Sequence, residues 1–151
     1  MKKVLMRYAL SAFILSTVVS AQTADKISAA FIIGRTLNES GMDAAVTKFK
    51  ELNAEKNKYS ISHPDFLTLG RNLRIEGKVK EAITVFHITT ELFPDSDQAY
   101  LELARCYRLL GLGGKDLENT NRAFQIRDTN LLKAFFSENK DSILKLSLIH
   151  I

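Results

Sequence analysis

Thirty-four residues separate two copies of one helix face in this chain. Phe66, Leu69, Gly70 and Leu73 fall at i, i+3, i+4 and i+7, and Tyr100, Leu103, Ala104 and Tyr107 repeat them 34 positions on. That spacing is one side of an α-helix. Gly77 and Gly111 follow at the same offset, and a second periodic run follows each glycine. The first run carries Ala82, Ile83, Phe86, Thr89 and Leu92; the second carries Leu117, Thr120, Ala123, Phe124 and Ile126. Phe93-Pro94-Asp95-Ser96 closes the first unit, since Pro94 cannot extend a helix and Asp95 or Ser96 can cap the next one. Units of this size cannot bury their apolar face alone, so the pattern requires stacked helical hairpins.

A degenerate unit precedes these two. Ile27 to Glu39 is expected to form a helix, Ser40-Gly41 a turn, and Met42 to Lys56 a second helix with Ala45, Phe49 and Leu52 inward. Its glycine-to-alanine step, Gly41 to Ala45, is one residue shorter than Gly77 to Ala82. After Asp128, Leu131-Leu132 and Phe135-Phe136 make an apolar stripe, read as a separate capping helix over 131–145.

The unit over 63–96 resembles the tetratricopeptide repeat (TPR). That family alternates large and small residues at set places, and Phe66, Leu69, Gly70, Leu73, Ala82, Phe86, Thr89 and Pro94 stand at them here. Leu73 is apolar but not aromatic, and Thr89 is larger than usual. The unit over 97–130 diverges: Tyr100, Leu103, Ala104, Tyr107 and Ala123 fit, while Asp116, Thr120 and Asp128 replace small, aromatic and proline residues. Its loose Gly111-Leu112-Gly113-Gly114 turn predicts a second helix that begins late and packs less tightly. The resemblance implies an all-α fold of antiparallel helical hairpins, stacked as a short right-handed solenoid, with a degenerate hairpin over 22–62 ahead of the two repeats.

The ends of the chain read differently. Lys2, Lys3 and Arg7, the apolar run Tyr8 to Val19, and the small residues before Gln22 form a secretory signal over 1–21. This places the protein in the bacterial periplasm or outside the cell, with no stable membrane span once the signal is removed. The whole chain carries +4, but three of its 21 basic residues and none of its 17 acids lie in that segment. The remainder is near neutral, which removes the main support for nucleic-acid binding. Cys106 is the single cysteine, so no internal disulfide can form, and its apolar surroundings predict a small packing residue. Leu146 to Ile151 reads as a non-native tail, because Leu-Ser-Leu-Ile-His-Ile is what a transposon end used in sequencing-library preparation encodes in one frame. The natural chain is therefore expected to continue beyond about Lys145.

Little in the chain points to catalysis. His63, His87 and His150 have no metal-ligand spacing, so neither a metal nor a cofactor is expected. Ser137-x-x-Lys140 and Ser142-x-x-Lys145 are short patterns without the companion elements of a serine hydrolase, and no phosphate-binding glycine loop occurs. Asn38-Glu39-Ser40 is a bare glycosylation sequon. Instead, the TPR resemblance implies that the first helix of each hairpin lines a concave groove, with Arg71, Arg74, Arg105 and Arg108 pointing into it. Leu67 and Leu101, with Phe66 and Tyr100, would add apolar contact. Guanidinium groups suit carboxylates, so an acidic protein or peptide segment is the expected ligand. The bland alternative is a solvated face partly neutralised by Glu76 and Glu102.

The stretch from Gly41 to Asn130, 90 of 151 residues, also resembles the helical tail of some exported bacterial serine hydrolases. It does so through Gly41…Ala45, Leu69-Gly70-Arg71-Asn72-Leu73, Gly77-Lys78-Val79-Lys80-Glu81-Ala82-Ile83, Phe93-Pro94-Asp95-Ser96 and Ala99-Tyr100…Leu103. That likeness implies an accessory region and no activity. Two functions follow as expectations: a non-enzymatic binding module, or a truncated piece of a larger envelope protein lacking its catalytic domain. Apolar surface at the ends of so short an array also predicts weak self-association.

Overall fold

A computed structural model describes residues 26–139. The signal segment, the 146–151 tail and the last residues of the expected cap lie outside them. Five helices follow one another: α1 Ala29–Ala54, α2 His63–Ile75, α3 Val79–Leu92, α4 Asp97–Leu109 and α5 Gly113–Glu138, with a 3₁₀ turn at Lys56–Lys58.

Each hairpin turns at a glycine because the chain needs a positive φ there. Gly41, Gly77 and Gly111 have φ of 84°, 80° and 71°, a region that side chains with a Cβ avoid. In the last two hairpins the turn is the same motif 34 residues apart. Lys78 N–H donates to Leu73 C=O at 2.9 Å and Gly77 N–H to Arg74 C=O at 3.1 Å; Leu112 donates to Tyr107 at 2.9 Å and Gly111 to Arg108 at 3.0 Å. This paired closure satisfies carbonyls that a helix end leaves open.

The helix α1 is two arms rather than one rod, since Gly41 (φ 84°, ψ −176°) leaves helical geometry. A straight helix of this length would reach ~39 Å. Yet Ser60, six residues past Ala54, bridges Ser28: Ala29 N–H donates to Ser60 C=O at 2.9 Å and Ser60 N–H to Ile27 C=O at 3.0 Å. Six residues span only ~20 Å, so the arms must fold back on each other. Ala45, Phe49 and Leu52 face the core with Ala29, Ala30, Ile33 and Leu37 of the opposite arm.

Within and between hairpins the core is built from close approach. A Cβ on Gly70 would lie 2.5 Å from Cε1 of Phe86, and one on Gly34 would lie 2.9 Å from Cδ1 of Leu69. Phe66, Phe86, Ile33, Leu103 and Val85 are fully enclosed. Thr89, larger than the usual residue at its place, is buried with its hydroxyl donating to Val85 C=O at 2.8 Å. Ser96 caps α4 by accepting from Ala99 N–H at 3.1 Å, and it meets Nε2 of His63 at 2.6 Å, which ties the start of α2 to the start of α4. The fold is all-α, a stack of TPR-like antiparallel hairpins.

Two sequence expectations change at the C-terminal end. The helix α5 does not begin late: Gly113 stands 34 residues after Val79, where α3 begins. It does not break near Asp128 either, so 113–138 is one helix and no separate cap over 131–145 exists within the described residues. Only Ala123 and Ile126 of α5 are buried, while Leu117, Phe124, Leu131, Leu132, Phe135 and Phe136 are exposed. The helix runs on because no proline or glycine follows Gly114 as far as Glu138, and its apolar side chains stay bare because no described residue packs on them.

Cys106 is fully enclosed, and burial pushes its thiol up to about 11, with smaller opposed effects from Arg74 and Glu102. The thiolate is the reactive form. Native protein at pH 8 is therefore expected to leave Cys106 unmodified by a disulfide reagent such as DTNB, with full reaction only on unfolding. Rapid reaction of the native thiol would contradict this packing.

Candidate functional site

Charge gathers on the face shared by α2 and α4, the first helices of their hairpins. Its centre is a carboxylate. Glu102 is 1% exposed, which is rare for a charged side chain unless it is paired. Three arginines surround it. Oε1 accepts from Nε of Arg71 at 2.8 Å and from an Nη of Arg105 at 2.7 Å. Nε of Arg74 lies 3.4 Å from Oε2. Those last two atoms are both buried and make no hydrogen bond of good geometry. Three guanidinium groups thus meet one carboxylate, leaving an excess of two positive charges on this face. The arginine heads stay reachable: side-chain exposure is 40% for Arg71 and 55% for Arg105, against 25% for Arg74.

The other three predicted positions fall differently. Arg108 is closed by Asp116, which accepts from Nε at 2.8 Å and from an Nη at 3.0 Å. This fork-to-carboxylate pairing raises the arginine and holds the Asp116 carboxyl below its usual range. It also accounts for an aspartate where the preceding repeat has the buried Ala82. Leu67 is buried in the core and presents almost no surface to a ligand. Leu101 is half-buried, beside the cluster in sequence. Glu76 pairs with Lys78 at 2.9 Å and takes no part in the neutralisation, which Glu102 performs.

Two features escaped the sequence reading. The convergence on Glu102 is one, since a glutamate on a polar helix stretch gives no sign of burial. Arg35 is the other. Ile33-Gly34-Arg35-x-Leu37 matches Leu69-Gly70-Arg71-x-Leu73 at an offset of 36, so the arginine recurs in all three hairpins. A search at offsets near 34 would have found it. Arg35 is exposed and sits 3.4 Å from Glu39 of its own helix.

Behind the site, His87 of α3 meets the Tyr107 hydroxyl of α4 at 2.8 Å, and Nζ of Lys115 lies 5.2 Å from the Tyr107 ring. Burial first, then the Lys115 charge, hold the imidazole below its ordinary value near 6.5. The unfolded chain therefore takes up this proton at a higher pH than the folded one. The contribution of His87 is complete above about pH 6.5 and is lost as pH falls through the lower folded value. The melting midpoint is expected to drop between pH 7 and pH 5.5, and the drop to shrink in His87→Gln. An unchanged slope in that variant would assign the acid sensitivity to other groups.

Among the described residues, no three His, Cys, Asp or Glu side chains gather as a metal site, and no helix is long and apolar enough to cross a membrane. No family model and no curated protein matches this chain. Among solved structures it is similar to the crystal structure of MamA, with 20% identity and a TM-score of 0.48 over 71% of this chain. The match spans 63% of the MamA chain, less than two thirds of its length.

Proposed function

We propose that this chain is an exported, non-enzymatic protein-binding module that holds an acidic segment of a partner on the α2–α4 face. The observation that carries the reading is the imbalance at Glu102: three arginines on one carboxylate, with Arg71 and Arg105 open to solvent. Donors not used by Glu102 remain for a second carboxylate, and the excess charge favours its approach. Arg71, Arg74 and Arg105 are the binding residues in this reading, with Leu101 at the margin; Arg108 is already satisfied within the protein. The leader over 1–21 supports the exported setting.

A fluorescent peptide alternating glutamate with leucine is a direct probe. Native protein is expected to bind it, with affinity falling as salt rises. Arg71→Ala/Arg105→Ala is expected to weaken binding about tenfold or more, roughly 1.4 kcal/mol, in a protein whose circular dichroism is unchanged. Equal affinity in the folded variant would overturn the site.

A further inference from the structure

The last hairpin carries a face with no described residue on it. Inside the array, one side of α3 bears Ile83, His87 and Thr90; Ile83 packs against the core and His87 reaches Tyr107 of the next hairpin. Thirty-four residues on, the same positions of α5 are Leu117, Asn121 and Phe124. Ile83 is packed against the core, whereas Leu117 is 62% exposed. The stripe then runs past the hairpin. Leu117, Phe124 and Leu131 are seven residues apart, Phe135 lies four further on, and Leu132 and Phe136 widen the band. Every residue from 127 to 138 is exposed. The buried side of α5, with Ala123 and Ile126, points the other way.

Helix length selects the occupant. Leu117 to Phe135 extends ~27 Å. The helices α2, α3 and α4 have 13, 14 and 13 residues, ~20 Å each, and α1 is bent at Gly41. Among the described elements only α5 itself, at 26 residues, matches the stripe. We propose that this stripe is the contact for a second copy of the chain, two α5 helices pairing antiparallel about a two-fold axis. The antiparallel sense lays each bare 127–138 segment against the hairpin-bearing half of its partner. It also keeps the hairpins apart and opposes the helix dipoles. Six apolar residues, each hiding about 100 Å², would bury roughly 1,200 Å² over both copies, the lower edge of specific interfaces. The charged residues along the stripe, Glu118, Arg127, Asp128 and Glu138, are of mixed sign, with Arg127 4.7 Å over the Phe124 ring, so they set up no uniform repulsion.

Sedimentation velocity on the full chain tests this, from low micromolar to hundreds of micromolar. The native chain is expected to pass from monomer to dimer across that range. Leu131→Glu/Phe135→Glu and, separately, Leu117→Glu/Phe124→Glu are expected to raise the dissociation constant at least about tenfold. Both pairs lie at exposed positions, and unchanged circular dichroism will show that the fold is kept. A native chain that stays monomeric throughout overturns the proposal. Dimerisation of such a chain on Ile143→Glu/Leu144→Glu would show its own C-terminal residues to be the occupant. A dimer that survives both α5 variants overturns it too, by placing the contact elsewhere.

Discussion

Replacing Glu102 by glutamine is expected to lower the unfolding free energy by about 2 kcal/mol and, at the same time, to tighten binding of an acidic peptide. Removing one member of a fully buried ion pair costs about 3–5 kcal/mol. The three arginines here are partly exposed, so solvent screens the charges left behind and the smaller figure applies. Glutamine keeps the shape of the side chain, which isolates the effect of charge. The loss arises because Arg71, Arg74 and Arg105 then stand together with no anion among them. An incoming carboxylate supplies that anion, so the variant that is less stable alone gains more from the ligand. Chemical denaturation with and without the glutamate–leucine peptide measures both quantities. Weaker binding in a folded Glu102→Gln protein would mean that the carboxylate orders the arginines for the ligand rather than competing with it. A variant of native stability would show that the buried pairs contribute nothing net.

The second large effect lies in the core. Phe86→Ala is expected to cost about 3–5 kcal/mol, the usual range for truncating an enclosed aromatic ring. That is a large share of the roughly 5–15 kcal/mol that holds a domain together. The ring lies directly on Gly70, where a Cβ would approach within 2.5 Å of Cε1 and 2.6 Å of Cζ. Gly70→Ala is therefore expected to destabilise the native protein by about 1–3 kcal/mol through overpacking, less the ~1 kcal/mol that alanine gains over glycine within a helix. In the Phe86→Ala background the clash is gone, and the same substitution should be neutral or stabilising. A double-mutant cycle reads the coupling. Additive effects at the two sites would place the ring and the glycine out of contact.

Much of the architecture was legible without coordinates. The offset of 34, the turn glycines and the Phe93-to-Ser96 stop locate α2, α3 and α4, while α5 begins earlier, at Gly113, than its glycine-rich turn suggested. The reversal at Gly41 was legible as well, from Ser40-Gly41. The site was read less completely. Four arginines were placed on one surface, yet Arg108 belongs to Asp116, Leu67 belongs to the core, and three of the four meet around a glutamate that looked solvated.

The division between the two kinds of knowledge follows from range. Helical period, helix stops and the demand for positive φ are set by residues within one turn of each other, so the sequence determined where the hairpins reverse and where α2, α3 and α4 lie. Burial and charge pairing are set by residues far apart in the chain. Glu102 meets Arg71 across 31 positions, and Ile83 is covered while Leu117, at the same place in the repeat, is bare because no described hairpin follows it. Only the tertiary structure decided which arginines stay open and which apolar stripe stays exposed. In each case the deciding neighbour sits on another helix, and nothing local to either residue names it.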